Sequence, residues 1–302
     1  MLLARKFGVA PEDIKTGRAN EMIRRRTLEW IAESRVDRVV LLAFDRVWRR
    51  DGTADDERTL LHVANDCVSE AARHNEKVLF GASVHPYRKD ALDALDRAFA
   101  NGAVLVKWLP SAQGIAPDDP ACFPFYDKLC ELRLPLLCHL GKEHTLSNFD
   151  DSLNRPVRLE PALQRGVTVV GAHLGARLVF HERCWMREWA DLARKYENLY
   201  GDISAFCSPI RSMILSRVLK DPLLARRILF GSDFPADVLP AVHMLRIGPV
   251  AAAKLHFELN PFDRAFRTIR ASGLPGDAFR RASAILRLPR DPDRDAALHT
   301  KP

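Results

Sequence analysis

Short apolar runs alternate with longer amphipathic stretches along this chain. The runs cover residues 36–44, 77–84, 103–109, 135–140, 167–173, 199–204 and 227–230. They are rich in Val, Leu and Ile and nearly continuous, which is the pattern of strands buried on both faces of a parallel sheet. Helical patterns lie between them. Residues 55–74 place Leu60, Leu61, Ala64, Cys67, Val68 and Ala71 on one face, with charge opposite. Residues 89–100 repeat the pattern through Leu92, Leu95 and Phe99, and Asn101-Gly102 supplies a stop. Residues 123–132, 180–196 and 210–219 read the same way. Strand followed by helix, repeated, is the order that builds parallel α/β folds.

The pattern predicts seven strands. A helix over 18–33 precedes the first of them, and in a right-handed β/α chain that helix should itself follow a strand. Residues 1–12 read instead as a helix fragment ending at Gly8. Two architectures fit: an open seven-stranded sheet, or a TIM (β/α)8 barrel entered after its first strand. The barrel is the expectation, because closure leaves no strand edge unpaired. One domain then spans 1–288, with terminal helices over 263–270 and 276–288, and a charged tail covers 289–302.

A length of 302 residues suits one such barrel, which takes about 250. The net charge of +7 is spread over separated arginine groups rather than one tract. With no nucleic-acid motif present, no nucleic-acid partner is expected, and the positive charge suits a pocket that takes carboxylates. The six cysteines form no CxxC pair, and no secretory signal is evident, so they read as reduced thiols of a cytoplasmic protein. No apolar run is long enough to cross a bilayer, so no membrane partner is expected. The pattern leaves homo-oligomerisation open.

The candidate chemistry lies where polar residues interrupt strand ends: His139 after Leu136-Leu137-Cys138, His173 after Val169-Val170-Gly171-Ala172, Asp233 after Phe230-Gly231-Ser232, Lys107 after Val104-Leu105-Val106, and Asp202 after Leu199-Tyr200-Gly201. In a barrel these ends converge on the face that carries active sites. Imidazole and carboxylate there are ligand types for zinc and similar divalent metals. Each residue also has a plainer role. Asp233 could cap the following helix, Lys107 could extend to solvent, and Asp202 reads best as a group that hydrogen-bonds a neighbouring loop or histidine. The recurrence of two His and one Asp at equivalent positions on three strands favours a metal site. His85 either lines a substrate pocket or caps the turn before Pro86. His144, in the loop beyond His139, is a candidate substrate contact. No nucleophile elbow, phosphate loop or dinucleotide fingerprint is present.

At these residues the chain resembles the amidohydrolase superfamily, in particular the amidohydrolase-related, aminocarboxymuconate-semialdehyde decarboxylase-like group of metal-dependent hydrolases and decarboxylases. The resemblance runs from about Val36 to Leu288, on Gly102 to Lys107, Leu134 to Gly141, Gly171 to Gly175, Leu199 to Ser204 and Ile228 to Pro235. It implies a (β/α)8 barrel with one or two divalent metals, commonly zinc. It implies His139 as a metal ligand, His173 as a second ligand or catalytic acid/base, and Asp233 as ligand and proton shuttle. Lys107 matches a position where some members carry a carbamylated, metal-bridging lysine; a substrate-carboxylate contact is equally open. The family's first strand ends in a His-x-His pair or a close variant, and no His-x-His occurs in this sequence. The absent pair and the absent strand coincide, which suggests that Met1 is an internal methionine of a longer protein.

The resulting expectation is a metal-dependent hydrolase that cleaves a C–N or C–O bond with a metal-activated water, acting on a small molecule that carries a carboxylate. The alternatives are a metal-dependent non-oxidative decarboxylase of an aromatic or unsaturated acid and, in another class, an inactive remnant or binding protein. With two ligands fewer than its relatives, the chain is expected to bind zinc poorly and to turn over little.

Overall fold

A computed structural model describes residues 6–288. Seven parallel strands lie side by side in chain order: β1 (Val39–Leu42), β2 (Val78–Ala82), β3 (Ala103–Trp108), β4 (Leu136–His139), β5 (Val169–Ala172), β6 (Leu199–Asp202) and β7 (Ile228–Leu229). Two helices precede the sheet, α1 (Pro11–Lys15) and α2 (Ala19–Glu33). The connections carry α3 (Asn65–His74), α4 (Ala91–Ala100), α5 (Phe123–Leu132), α6 (Glu160–Gln164), α7 (Met186–Lys195) and α8 (Pro209–Lys220), and α9 (Pro249–His256) and α10 (Pro261–Ala271) follow β7. The architecture is TIM-barrel-like. The sheet order runs from β1 to β7 without closing, so those two strands are its edges.

Side chains alternate between the two faces of a strand, and the pairing register carries one parity across the sheet. Gly81 lies opposite Leu42 and Leu105, Lys107 opposite Leu137, Leu137 opposite Val170, Val170 opposite Tyr200, and Asp202 opposite Leu229. That set faces the barrel interior. The other parity, including Phe80, Val106, Trp108, Leu136, Cys138, Val169, Leu199 and Ile228, is buried in the main core. Low in the interior, Leu79, Leu105, Val40 and Leu137 pack with Leu286 and Leu288. The Arg287 N–H donates to the Val104 carbonyl at 3.2 Å. The chain's last described residues thus plug the β1–β4 half of the barrel floor.

The seam beside β1 is covered by apolar side chains, one of the ways an exposed edge is blunted. Ile31 of α2, Val78 and Phe262 form a buried cluster with Val39, Leu41, Trp30 and Phe234 against it. Phe7, Trp30 and Phe234 stack mutually with ring centroids 5.6–5.9 Å apart. Asn260 caps α10 and also donates to the Trp30 carbonyl at 2.7 Å, tying α10 to α2.

Several expected boundaries are corrected. The helix expected over 55–74 begins only at Asn65. Before it, Asp55 accepts from Arg49 and from the Arg58 N–H, Thr59 bonds the Asp55 carbonyl, and Leu60 and Leu61 are exposed. Local side-chain bonds there outcompete a helix whose stripe has nothing to bury against. The helix expected over 180–196 spans Met186–Lys195, because Glu182 accepts from the Leu178 and Val179 N–H groups and closes a turn. The helix expected over 276–288 is two short turns, Gly276–Phe279 and Ala282–Ile285. The fragment expected over 1–12 is a turn at Lys6–Gly8 followed by α1; residues 1–5 and the tail over 289–302 lie outside the described residues.

On β6, Gly201 faces Leu174 and Trp189, and an added methyl would collide with Leu174 and stand 2.8 Å from the Trp189 ring. Both neighbours are fully buried. Gly201→Ala should therefore lower stability by about 1–3 kcal/mol through overpacking, read as a reduced urea midpoint at unchanged slope; an unshifted midpoint would show that the two side chains have room to move.

Candidate active site

Strand parity sets the site. Lys107, His139 and Asp202 all lie on the inward-facing parity at or next to the carboxyl ends of their strands. His173 and Asp233 follow β5 and β7 in left-handed backbone, at φ 60° and 57°, a conformation that non-glycine residues adopt only when held. What holds His173 is visible. Its N–H donates to Asp202 Oδ1 at 3.1 Å, and the Ser204 N–H donates to the same oxygen at 3.0 Å.

The same carboxylate fixes the His173 tautomer. The Ser204 hydroxyl donates its one proton to Asp202 Oδ1 in a short bond. His173 Nδ1 lies 3.0 Å from the Ser204 carbonyl and 2.9 Å from that hydroxyl. With the hydroxyl proton committed, Nδ1 must carry hydrogen and donate to the carbonyl, which leaves a lone pair on Nε2. That Nε2 stands 4.0 Å from Asp233 Oδ1. The His139 and His173 rings meet edge to face with centroids 4.9 Å apart. Among the described residues the buried His139 Nε2 has no hydrogen-bond partner, and the nearest carboxylate oxygen, Glu143 Oε2, is 3.7 Å away.

Burial decides the charge states. Desolvation, reinforced by His173, Lys107 and Arg211, holds the His139 imidazole well below its ordinary pKa. Desolvation also lowers His173, opposed by Asp233. Both rings are thus biased to the neutral form that ligates metals or accepts protons. Burial pushes the Lys107 ammonium down, against the pull of Cys138 and of the carboxylates Asp202, Asp233 and Glu143. Arg211 on α8 is buried as well, lowered by desolvation and favoured by Asp233 and Asp202. Its Nε donates to the Ala176 carbonyl at 3.3 Å.

The structure therefore brings His139, His173 and Asp233 together, with Lys107 buried in the same electrostatic neighbourhood. His85 is placed differently. Its Nδ1 accepts from the Tyr87 N–H at 3.2 Å and its Nε2 reaches the Gln113 carbonyl at 2.9 Å. Both ring nitrogens are engaged within the protein, so the expected substrate contact has no free ring nitrogen with which to form. His144 stands 3.3 Å from Glu182 Oε1 and bridges two loops. Two residues escaped the sequence reading. Arg211 shares the apolar stripe of α8 with Ile214, Leu215 and Val218, and a cation within such a stripe was the available signal. Glu143 sits in a loop, where no periodicity announces it.

The donor chemistry fits a divalent ion in part: one orphaned imidazole nitrogen, one with its lone pair set free by its neighbours, and one carboxylate. The set amounts to a half-site. Among the described residues, no group of three His, Cys, Asp or Glu is arranged to hold a metal.

A family model described as amidohydrolase matches residues 43–246, which include every candidate named above. The chain belongs to the amidohydrolase family. Members of this amidohydrolase family are enzymes, hydrolases and decarboxylases among them, and are typically metal-dependent. A TIM-barrel protein from Bordetella bronchiseptica superposes with a TM-score of 0.57 at 17% identity, over 90% of this chain and 89% of that one. A probable 2-pyrone-4,6-dicarboxylic acid hydrolase from Acinetobacter baumannii, solved with citric acid bound, superposes with a TM-score of 0.53 at 12% identity, over 86% and 84%. These likenesses show the amidohydrolase chain's fold. No curated protein matches its sequence. No helix among the described residues is long and apolar enough to cross a membrane.

The buried His85 gives a pH dependence. Burial lowers its pKa from the usual 6.5 to about 4. Below 6.5 the unfolded chain takes up a proton that the folded ring refuses, so this contribution is complete above that pH and is lost as pH falls. Stability should drop between pH 6.5 and 4, by on the order of 3 kcal/mol from this residue. Urea titrations at successive pH values measure it, and His85→Gln should flatten the slope; an equal slope in that variant would place the effect elsewhere.

Proposed function

We propose that the chain carries the site of a metal-assisted hydrolase that cleaves a C–N or C–O bond in a small molecule bearing a carboxylate. The observation that supports it most is the facing pair of buried, neutral imidazoles, His139 and His173, beside the Asp233 carboxylate. Zinc is the proposed ion, since imidazole and carboxylate are its ligand types. His139, His173 and Asp233 would hold it, with Lys107 as a further ligand or a substrate contact, and it would supply a Lewis acid beside the bond to be broken.

The chain's own residues supply the proton chemistry. Asp233 has a side chain 42% exposed and can exchange a proton between the site and solvent. Where it does not ligate the ion, His173 offers an Nε2 lone pair whose direction is set by Asp202 and Ser204, so it can accept a proton without reorienting. Lys107 and Arg211 place two buried cations around the imidazoles and would orient a substrate carboxylate. The citrate-bound relative fits a carboxylate as ligand. The same two cations also favour the second reading, a decarboxylase that holds the carboxylate it removes.

A half-site implies loose zinc, which a micromolar chelator should strip. With zinc in excess, a panel of lactones, amides and aromatic acids is expected to show acid release from C–O or C–N cleavage. Asp233→Asn should reduce it by about 100-fold or more. Carbon dioxide release without hydrolysis would replace this reading with the decarboxylase, and ligand binding with no turnover would replace both with a binding protein.

A further inference from the structure

The loops after β1, β2, β3 and β4 line a hollow of about 450 Å³, walled by Trp48, Arg50, Arg58, Tyr87 and Phe149 among others. That volume suits a small organic molecule. It shares no residue with the strand-end site.

Its walls pair cations with rings. The Arg50 guanidinium lies over the Tyr87 ring at 5.6 Å, and Arg58 lies over Phe149 at 4.6 Å. Stacking fixes the plane of a guanidinium and leaves its N–H edge free for a bidentate acceptor. The other arginines of the hollow have carboxylate partners: Arg49 meets Asp55 at 3.0 Å, and Arg50 meets Asp119 at 2.5 Å. Arg58 lines the hollow, and its side chain has no hydrogen-bond or ion-pair partner among the described residues. The lining carries three arginines with Asp55 and Glu57, and Asp119 pairs with Arg50. Trp48 is anchored at its far end, where Nε1 donates to Asp45 Oδ1 at 3.3 Å, so its ring is a fixed wall.

We propose that this hollow is a second small-molecule site, for an oxyanion carried on a planar ring. The carboxylate or phosphate pairs with the N–H edge of Arg58, with Arg50 nearby, and the ring lies against Trp48 and Phe149. Because this site stands on its own residues, it does not depend on the reading of the strand-end site.

Intrinsic fluorescence of the full chain tests it, with phthalate and phenyl phosphate as ring-bearing probes and inorganic phosphate as the bare anion. At least one ring-bearing probe is expected to change the emission saturably, and to bind about tenfold more tightly than inorganic phosphate. The tighter of the two identifies the headgroup. Arg58→Ala should weaken that binding about tenfold, the scale of one charge-assisted hydrogen bond. Trp48→Phe should remove the signal and His173→Ala should leave it. Unchanged affinity in Arg58→Ala, loss of the signal in His173→Ala, or no response to either ring-bearing probe would overturn the proposal.

Discussion

One oxygen atom, Asp202 Oδ1, receives the His173 N–H, the Ser204 N–H and the Ser204 hydroxyl. Through the first of these bonds the end of β6 clasps the end of β5, and the other two fold the Ser204 turn onto the same oxygen. The His173 backbone is thereby kept in its left-handed turn, and its ring is kept in one tautomer. The arrangement needs the parallel register, since Asp202 reaches His173 only because β5 and β6 pair with Gly171 opposite Gly201. A slip of β6 by one residue would send Asp202 to the helix-covered face. The site thus inherits its precision from backbone pairing made lower in the strands.

Burial gives these groups their chemistry, at a cost in solvation. Two imidazoles, one ammonium and one guanidinium are withdrawn from water within one neighbourhood, and each is displaced towards its neutral form. Carboxylates at Asp202, Asp233 and Glu143 offset part of that for the cations. The orphaned Nε2 of His139 remains unsatisfied. A buried polar atom left without a partner costs about 1–3 kcal/mol, and such a cost commonly marks a position where a ligand completes the bonding.

Much of this was legible in the chain. Strands buried on both faces announce themselves as continuous apolar runs, so all seven were located, although β7 shortens to two residues. The polar residues ending those runs, His139, His173 and Asp233, do lie together, because parallel strands bring their carboxyl ends to one side. What the pattern misjudged was decided by local competition. Leu60 and Leu61 carried helical spacing, yet Asp55 and Thr59 turned that segment into a loop. His85 was expected at a strand end like His139, but β2 stops at Ala82 and neighbouring backbone groups occupy both of its ring nitrogens. Arg211 was hidden because a single cation in a helix is ordinarily a surface residue, and Glu143 because loop shape has no period to read.

The aromatic seam has a consequence for how the molecule holds together in time. Lys6 donates to the Pro235 carbonyl and pairs with Asp237, while Phe7 stacks on Phe234. The first of these contacts joins residues 229 positions apart in the chain, and together they grip the loop that follows Asp233. Contacts so distant in sequence must offset the entropy of closing a long loop. They sit beside an edge strand with few pairing bonds, where local opening is least costly. The loop that carries the carboxylate is therefore held in part by the leading end of the chain, and anything attached to or cut from that end acts directly on it.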